Sequence, residues 1–347
     1  MNDLSARAGW AAETVSLSEA KALIRALAHR RSLVLLSAPG LGKSEIVRQA
    51  AVEAGLPCRS VLGTQIAPED VSGIPKIVGE RSVFCPPRVL LPETPEPFCL
   101  FLDELPACAP DMQKAFHSLL LDRRLGEHEL PQGSWVVAAG NRLEDRAQVR
   151  TLSSALVNRV LLLQLRLDVR EWIRWARGAF IHADVLAFIA FMPEALMRPV
   201  PLEPVPFSTP RAWAALSEAL ELAEAAGICG PQQRRALAFG CVSAADAAIF
   251  CAMAENSIGT IRPPLDYLQR PELLPGEDAA RWLVLSGIRS LVAQEESLLI
   301  DTDTINRFLM AVPADHRFAL MIGLVERWSA LGAAPGLVAA FRDATGV

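Results

Sequence analysis

Lysine is scarce in this sequence. Of its 34 basic residues only four are lysine (Lys21, Lys43, Lys76 and Lys114), and the other thirty are arginine. In so lysine-poor a chain, a lysine inside a glycine-rich turn is a candidate functional residue. Basic residues are also outnumbered by acidic ones. The net charge of −5 and the pI near 5.7 therefore give no general electrostatic reason to bind nucleic acid.

Long apolar runs and metal-ligand spacings are also missing. No run of about 18 apolar residues occurs, so we expect no membrane span. The first twenty residues have no apolar segment after a basic start, so we expect no signal peptide. The seven cysteines form no C-x-x-C pair, and several lie in apolar runs, which indicates reduced, buried thiols in a cytoplasmic protein. The five histidines show no metal-ligand spacing.

Short apolar segments alternate with helical patterns over the first half of the chain. Strands are predicted at 32–37, 58–63, 98–105, 134–142 and 160–165, with helices at about 43–54 and 111–121 between them. Two further segments, KIVGERSVF (76–84) and RRLGEHEL (123–130), are predicted as hairpins. This order predicts an α/β fold with a mostly parallel five-stranded sheet.

Helical patterns carry the rest of the chain. The strand signal ends after residue 166, and the proline-rich stretch 197–211 predicts an ordered but non-helical linker. Ser18 is the predicted cap of a first helix that runs to about Arg30. The predicted divisions are a weakly ordered arm (1–16), an α/β domain (17–166), a helical domain (167–258) and a helical C-terminal extension (259–347).

A glycine-rich loop, SAPGLGKS at 37–44, joins the first predicted strand to a helix. Such a loop presents backbone N–H groups and the positive helix end to an anion. Gly40 and Gly42 let the backbone curl around phosphate oxygens. Lys43 can then reach the β- and γ-phosphates of ATP, and the Ser44 hydroxyl can ligate Mg²⁺.

The loop departs from the G-x-x-x-x-G-K-[ST] pattern at one position, because Ser37 replaces the first glycine while G-x-G-K-S is intact. The alternative interpretation is a strand-to-helix turn that contains Lys-Ser by chance. We expect a nucleotide-binding loop whose residues are Pro39, Gly40, Leu41, Gly42, Lys43 and Ser44.

Two acids, Asp103 and Glu104, end the apolar strand LFLDE (100–104). Ligands of open α/β sheets bind beyond this edge, and adjacent strand residues point in opposite directions. Asp103 can therefore hold Mg²⁺ through its hydration shell while Glu104 activates the attacking water. The alternative is a solvated acidic strand end.

Together, the loop 37–44, LFLDE and the next strand VVAAGN (136–141) resemble an AAA+ ATPase. The order of the motifs, with hairpins before the acid pair and before Asn141, is similar to the MoxR branch of that superfamily. The resemblance covers roughly residues 17–255. It implies that Asn141 is the first sensor, bonded to the γ-phosphate or the lytic water, a role for which an amide offers both donor and acceptor. Otherwise Asn141 is a turn residue.

The resemblance also assigns two arginines. LSSALVNRV (152–160) is similar to a family segment whose arginine acts on a neighbouring subunit's nucleotide, which makes Arg159 the arginine finger, although Val160 stands where phenylalanine is usual. Arg211 matches the second sensor, in the first turn of a helix capped by Thr209 or Ser208 and stopped by Gly227. Either arginine could instead be an ordinary surface residue. Three nearby arginines could substitute for Arg159 or assist it: Arg142, Arg146 and Arg150.

From this resemblance we expect ATP hydrolysis with Mg²⁺ in a homo-oligomeric ring, most often a hexamer. It implies chaperone-like remodelling of a separate protein, often one with a von Willebrand factor A domain. Two alternatives stay open: a nucleic-acid-stimulated motor, which Arg and Trp residues interleaved over 166–177 could serve by stacking, and a nucleotide switch that does not hydrolyse.

Overall fold

The computed structural model describes residues 13–93, 95–142, 152–255, 262–276, 278–294 and 300–345. The chain divides into two compact units, Met1–Trp172 and Ile173–Val347. The strands lie in the first unit: β1 (Thr14–Val15), β2 (Leu33–Leu36), β3 (Cys58–Leu62), β4 (Ile74–Val78), β5 (Arg81–Cys85), β6 (Cys99–Asp103), β7 (Arg124–Leu125), β8 (His128–Glu129), β9 (Trp135–Gly140) and β10 (Leu161–Leu165).

The central sheet has six strands in the order β1-β10-β2-β9-β6-β3, and every neighbouring pair is parallel. The predicted α/β fold is therefore confirmed, but the prediction of five strands was wrong by one. The extra strand is β1, where Thr14 and Val15 pair with Gln164 and Leu165 of β10. Two residues are too short a segment for an alternating pattern, so this part of the expected arm carried no strand signal.

The helices that begin in this unit are α1 (Leu17–Leu27), α2 (Lys43–Glu53), α3 (Pro68–Ser72), α4 (Pro110–Asp122), α5 (Ser154–Val157) and α6 (Val169–Gly178). The cap of α1 is Ser16, not Ser18. The Ser16 hydroxyl accepts a bond from the Glu19 N–H, and the Glu19 carboxylate accepts one from the Ser16 N–H, which is a capping box. Ser18 instead donates its hydroxyl to Glu171.

One core cluster of the first unit lies between one face of the sheet and α4. Alternate strand residues Val34, Leu100, Leu102, Val136 and Ala138 are fully buried on that face, as the two-residue period of a strand requires. The α4 residues packed in the same core are Met112, Phe116, Leu119 and Leu120. The strands that end in the candidate site therefore start in a rigid, fully apolar layer.

Both predicted hairpins are confirmed. Strands β4 and β5 pair antiparallel around Gly79 and Glu80, and β7 pairs with β8 around Gly126. The β4–β5 hairpin is exposed, with Ile74 at 73% and Ile77 at 79% of their full accessibility. These two apolar side chains therefore face solvent rather than the core of the first unit.

The second unit contains helices but no strands among its described residues. Its helices are α7 (Ala183–Phe191), α8 (Pro210–Ala225), α9 (Pro231–Cys241), α10 (Ala244–Glu255), α11 (Pro264–Gln269), α12 (Asp278–Gln294), α13 (Thr302–Ala311), α14 (Ala314–Met321), α15 (Val325–Ala330) and α16 (Pro335–Thr345). The described helices include none that is long and apolar enough to cross a membrane. The expected boundary at 258–259 lies outside the described residues.

The cysteines only partly meet the expectation of buried thiols. All seven are free, and Cys99, Cys108 and Cys251 are buried. Cys85 is exposed, because its apolar-looking neighbours belong to the protruding β4–β5 hairpin rather than to the sheet.

Candidate functional site

The predicted polar residues meet at the carboxyl edge of the central sheet. Strands β2, β9 and β6 are neighbours, and Leu36 lies opposite Gly140 in the register of β2 and β9. The loop after β2, the acids at the end of β6 and the asparagine after β9 therefore emerge side by side. This is the edge at which open α/β sheets bind ligands.

The loop between β2 and α2 curls through two glycines in the left-handed region, Gly40 at φ 77° and Gly42 at φ 111°. Side chains with a Cβ rarely adopt these angles. Since Gly42 is also the residue that precedes α2, no side chain caps the first-turn N–H groups of this 11-residue helix. An uncapped first turn behind a curled loop is an anion-binding arrangement.

Lys43 is the centre of the polar contacts. Its ammonium, on a side chain that is almost fully buried, donates to the carbonyl oxygens of Ser37 and Ala38, each at 3.2 Å, and to the Ser37 hydroxyl at 3.1 Å. It also donates to Oδ1 of Asn141 at 2.9 Å. The structure thus joins the lysine of the loop to the predicted sensor asparagine, 98 residues away.

The same contacts explain the departure from the glycine pattern at Ser37. Ser37 is fully buried, its hydroxyl accepts from Lys43, and that hydroxyl donates to the Ala38 carbonyl at 2.9 Å. A small hydroxyl residue fits this position and adds one acceptor for the buried ammonium, so the motif keeps its geometry without the first glycine.

A second pair joins the loop to the acids. The Ser44 hydroxyl donates to Oδ2 of Asp103 at 2.8 Å, and Oδ1 of Asp103 accepts from the Glu104 N–H at 3.0 Å. A hydroxyl and a carboxylate are the hard oxygen ligands that Mg²⁺ takes. Among the described residues there is no group of three or more His, Cys, Asp or Glu that could hold a metal by itself. A magnesium ion here would therefore need water and phosphate oxygens as further ligands.

Glu104 lies just past the end of β6, in a left-handed conformation with φ 58°. For a residue other than glycine this backbone costs roughly 1–2 kcal/mol, and such strain is concentrated at functional positions. Its carboxylate accepts a hydrogen bond from the Thr64 hydroxyl at 3.2 Å. No sequence pattern indicates Thr64. It follows β3, the neighbour of β6, and no motif spacing marks a contact across 40 residues.

The turns after β6 and β9 pack against each other. A Cβ on Gly140 would lie 2.1 Å from Cδ of Pro106, which is closer than any real contact. Glycine at 140 therefore lets the turn that carries Glu104 approach the strand end that carries Asn141. Below them, burial and the neighbouring Glu104 carboxylate raise the pKa of Cys108 to about 11, so this thiol stays neutral and serves as packing.

The structure describes three of the five predicted arginines. Arg159 follows α5 and has an exposed side chain, and half-buried Arg142 directly follows Asn141. Arg146 and Arg150 lie outside the described residues. Arg211 is exposed in the first turn of α8, in the second unit.

The predicted start of α8 is present. The Thr209 hydroxyl accepts from the Ala212 N–H at 3.1 Å and is the cap. Ser208, the alternative cap, donates its hydroxyl to Asp246 instead. Gly227, with φ 69°, follows the last turn.

Residues 32–160 match the family model of the AAA domain, dynein-related subfamily. The match covers the loop, the acid pair, Asn141 and Arg159. Together with the strand order β10-β2-β9-β6-β3 around the phosphate loop, it identifies an AAA+ P-loop fold in the first unit. No curated protein sequence matches this chain significantly.

Several solved structures are similar over most of the chain. The RuvB Holliday junction branch migration motor of Thermotoga maritima is 14% identical with a TM-score of 0.38, covering 86% of this chain and 82% of its own. NtrX of Brucella abortus in complex with ADP is 16% identical with a TM-score of 0.41, and the match covers 97% of this chain and 70% of its own. Domain III of DnaA from Thermotoga maritima is 14% identical with a TM-score of 0.40, and the match covers 65% of this chain and 90% of its own. Likenesses this distant carry no inference about function.

Proposed function

We propose that this chain, whose residues 32–160 form an AAA domain, hydrolyses ATP with Mg²⁺. One observation supports this above all others. Lys43 and Ser44, consecutive residues at the start of α2, contact Asn141 and Asp103 at the ends of two different strands. A loop, a sensor and an acid brought together in this way suit a triphosphate, with its bound metal, at one edge of the sheet.

Each residue then has a role that its chemistry allows. The N–H groups of Gly40 to Ser44 and the Lys43 ammonium bind the β- and γ-phosphates. Ser44 and Asp103 would hold Mg²⁺, which when bound neutralises charge on the phosphoryl oxygens. Glu104 accepts a proton from the attacking water, and the Asn141 amide orients that water or the γ-phosphate.

The resemblance to MoxR-type AAA+ proteins extends the proposal to assembly. Arg159 acts on a neighbouring subunit's nucleotide, which requires a homo-oligomeric ring, most often a hexamer in such proteins. Its exposed position after α5 suits a contact between subunits. Arg211 is proposed as the second sensor, which contacts the γ-phosphate.

We further propose that hydrolysis remodels a partner protein, for which the resemblance suggests a von Willebrand factor A domain protein. The exposed β4–β5 hairpin supports a protein partner, because Ile74, Ile77 and Val78 are each more than half exposed. An apolar surface suits a protein. A nucleic-acid motor would call for basic residues, and this hairpin has only Lys76 and Arg81 beside Glu80.

The test is ATP hydrolysis against protein concentration for the native chain, Glu104→Gln and Arg159→Ala, with and without DNA. Arg30→Ala, an exposed arginine just past α1, is the matched control and should hydrolyse like the native chain. We expect specific activity to rise with concentration, both site variants to lose it, and DNA to have no effect. A rate that is flat with concentration and insensitive to Arg159→Ala contradicts the ring site. Large stimulation by DNA favours the motor.

A further inference from the structure

A buried carboxylate in the second unit lies directly behind the start of α8. Asp246, in the first turn of α10, has no solvent exposure. Arg198 binds it through two nitrogens, with Nη2 at 2.6 Å from Oδ1 and Nε at 3.0 Å from Oδ2. The hydroxyls of Ser208 and Ser243 also donate to Oδ2, at 2.6 and 2.7 Å.

These contacts hold Ser208, the residue before the α8 cap Thr209, at both its hydroxyl and its carbonyl. The Ser208 hydroxyl donates to Asp246, and the Ser208 carbonyl accepts from the Arg198 N–H at 2.9 Å. Ser208 itself is fully buried, and the cap Thr209 is nearly so. The chain therefore enters α8 from a point held by an ion pair and its hydrogen bonds.

Contacts made by Trp213 fix the rotation of α8 about its own axis. Trp213 is fully buried, donates its indole N–H to the Ala195 carbonyl at 2.7 Å, and packs against Phe188 and Phe250 with ring centroids 5.1 and 5.9 Å away. Arg211 lies between this anchor and the Ser208 contact, and its own side chain is exposed. The one exposed arginine of this turn thus projects from a backbone that is held at both ends.

We propose that Asp246 is a positioning residue for Arg211: it holds the entry into α8 so that the Arg211 guanidinium leaves the helix in one direction. This rests on the proposed function, in which Arg211 contacts the nucleotide. Three donors from separate places in the sequence converge on this one carboxylate at the helix entry. A buried ion pair is by itself weak evidence for stability, and in some proteins it instead fixes one conformation.

The carboxylate is charged under ordinary conditions. Burial acts to raise the pKa of Asp246, but the hydrogen bonds from Arg198, Ser208 and Ser243 outweigh it and hold the pKa below its usual range. The contact to Arg198 is therefore ionic at neutral pH, and Asp246→Asn removes the charge with almost no change in shape.

The experiment compares Asp246→Asn, Arg211→Ala and the double variant, with Asp184→Asn as the control. Asp184 also pairs with an arginine, Arg234, within the second unit, but at α7 and α9, away from the α8 entry. Each variant is measured for kcat and KM of ATP hydrolysis, for affinity toward a fluorescent ATP analogue, and for thermal midpoint.

We expect Asp246→Asn and Arg211→Ala each to lower kcat by roughly 10- to 100-fold, the cost of a misplaced catalytic group. The double variant should be no slower than Arg211→Ala alone, because Asp246 acts through Arg211. Asp184→Asn should lower the thermal midpoint while kcat stays within about twofold of native. Arg198→Lys, which keeps the charge, should retain more activity than Asp246→Asn.

If the double variant loses kcat by the product of the two single-variant losses, the positioning role is wrong. It is also wrong if Asp246→Asn lowers the thermal midpoint but keeps the native kcat. If Arg211→Ala keeps native kcat, the sensor assignment in the proposed function falls, and the positioning role falls with it. Should Asp246→Asn fail to fold, Ser208→Ala removes one of the donors and leaves the ion pair. It should lower kcat several-fold in the native background and not at all in Arg211→Ala.

Discussion

Two aspartates, Asp103 in the first unit and Asp246 in the second, show how differently one side chain is used. Asp246 is enclosed, and an arginine and two hydroxyls satisfy its oxygens. Asp103 is only partly buried at a strand end, where it accepts from one hydroxyl and one backbone N–H. The enclosed carboxylate is saturated by protein donors and holds structure. The half-open one accepts from fewer protein donors.

Glu104 is the most open acid of the site, so its substitution should have the largest effect on activity and little effect on binding. Glu104→Gln keeps the shape and the Thr64 contact but cannot accept a proton. We expect ATP hydrolysis to fall by roughly 10²- to 10⁴-fold, with nucleotide affinity within a few-fold of native. Single-turnover hydrolysis and equilibrium binding measure the two separately. A loss of both would mean that Glu104 holds the nucleotide rather than the water.

Substitution of Asp246 should destabilise the folded chain more than substitution of Asp103. Asp246→Asn removes the carboxylate charge that pairs with Arg198. Because Arg198 is one-third exposed, we expect the free energy of unfolding to fall by about 2 kcal/mol, less than for a fully buried pair. Asp103→Asn should cost less than about 1 kcal/mol but should abolish Mg²⁺-dependent hydrolysis. Urea unfolding of both variants checks this. Equal losses would show that the two carboxylates are used alike.

Acid should remove the stabilisation that the Asp246 carboxylate gives the folded chain. Because the pKa of Asp246 is lowered in the folded chain, its stabilisation is present above the pKa of an unfolded aspartate, about 3.9. It is lost as pH falls through the folded pKa. The difference in unfolding free energy between native chain and Asp246→Asn should thus be constant from pH 7 to about 5 and shrink below about 4. A difference that grows with acid contradicts the assigned ion pair.

The strain at Glu104 should give the smallest effect. With φ at 58°, glycine fits this position and a β-branched residue does not. Glu104→Gly should be more stable than Glu104→Val by roughly 1–2 kcal/mol, although both lose activity. At Glu221, exposed within helix α8, the same two substitutions should differ by only a few tenths of a kcal/mol, with valine favoured. The same order at both positions would argue against strain.

Much of the secondary structure could be predicted from local sequence patterns. Buried strands, the hairpins around Gly79 and Gly126, and the Thr209 cap each depend on residues a few positions apart, and all are present. The SAPGLGKS loop could be identified for the same reason, since its turn and helix start are set by neighbouring glycines, lysine and serine. At α1, the predicted cap was wrong although a local signal existed. Ser16 and Glu19 form the capping box, and Ser18 was the nearer serine to the apolar pattern.

By itself, the sequence determined most strands of the sheet and the turns that need glycine, because backbone hydrogen bonding and the hydrophobic period act over a few residues. Tertiary structure alone decided the partners. Thr64 meets Glu104 across 40 residues and Ser208 meets Asp246 across 38. Strand β1 likewise exists only through its pairing with β10. Contacts of this kind depend on which chain segments the fold brings together, and no local pattern encodes that.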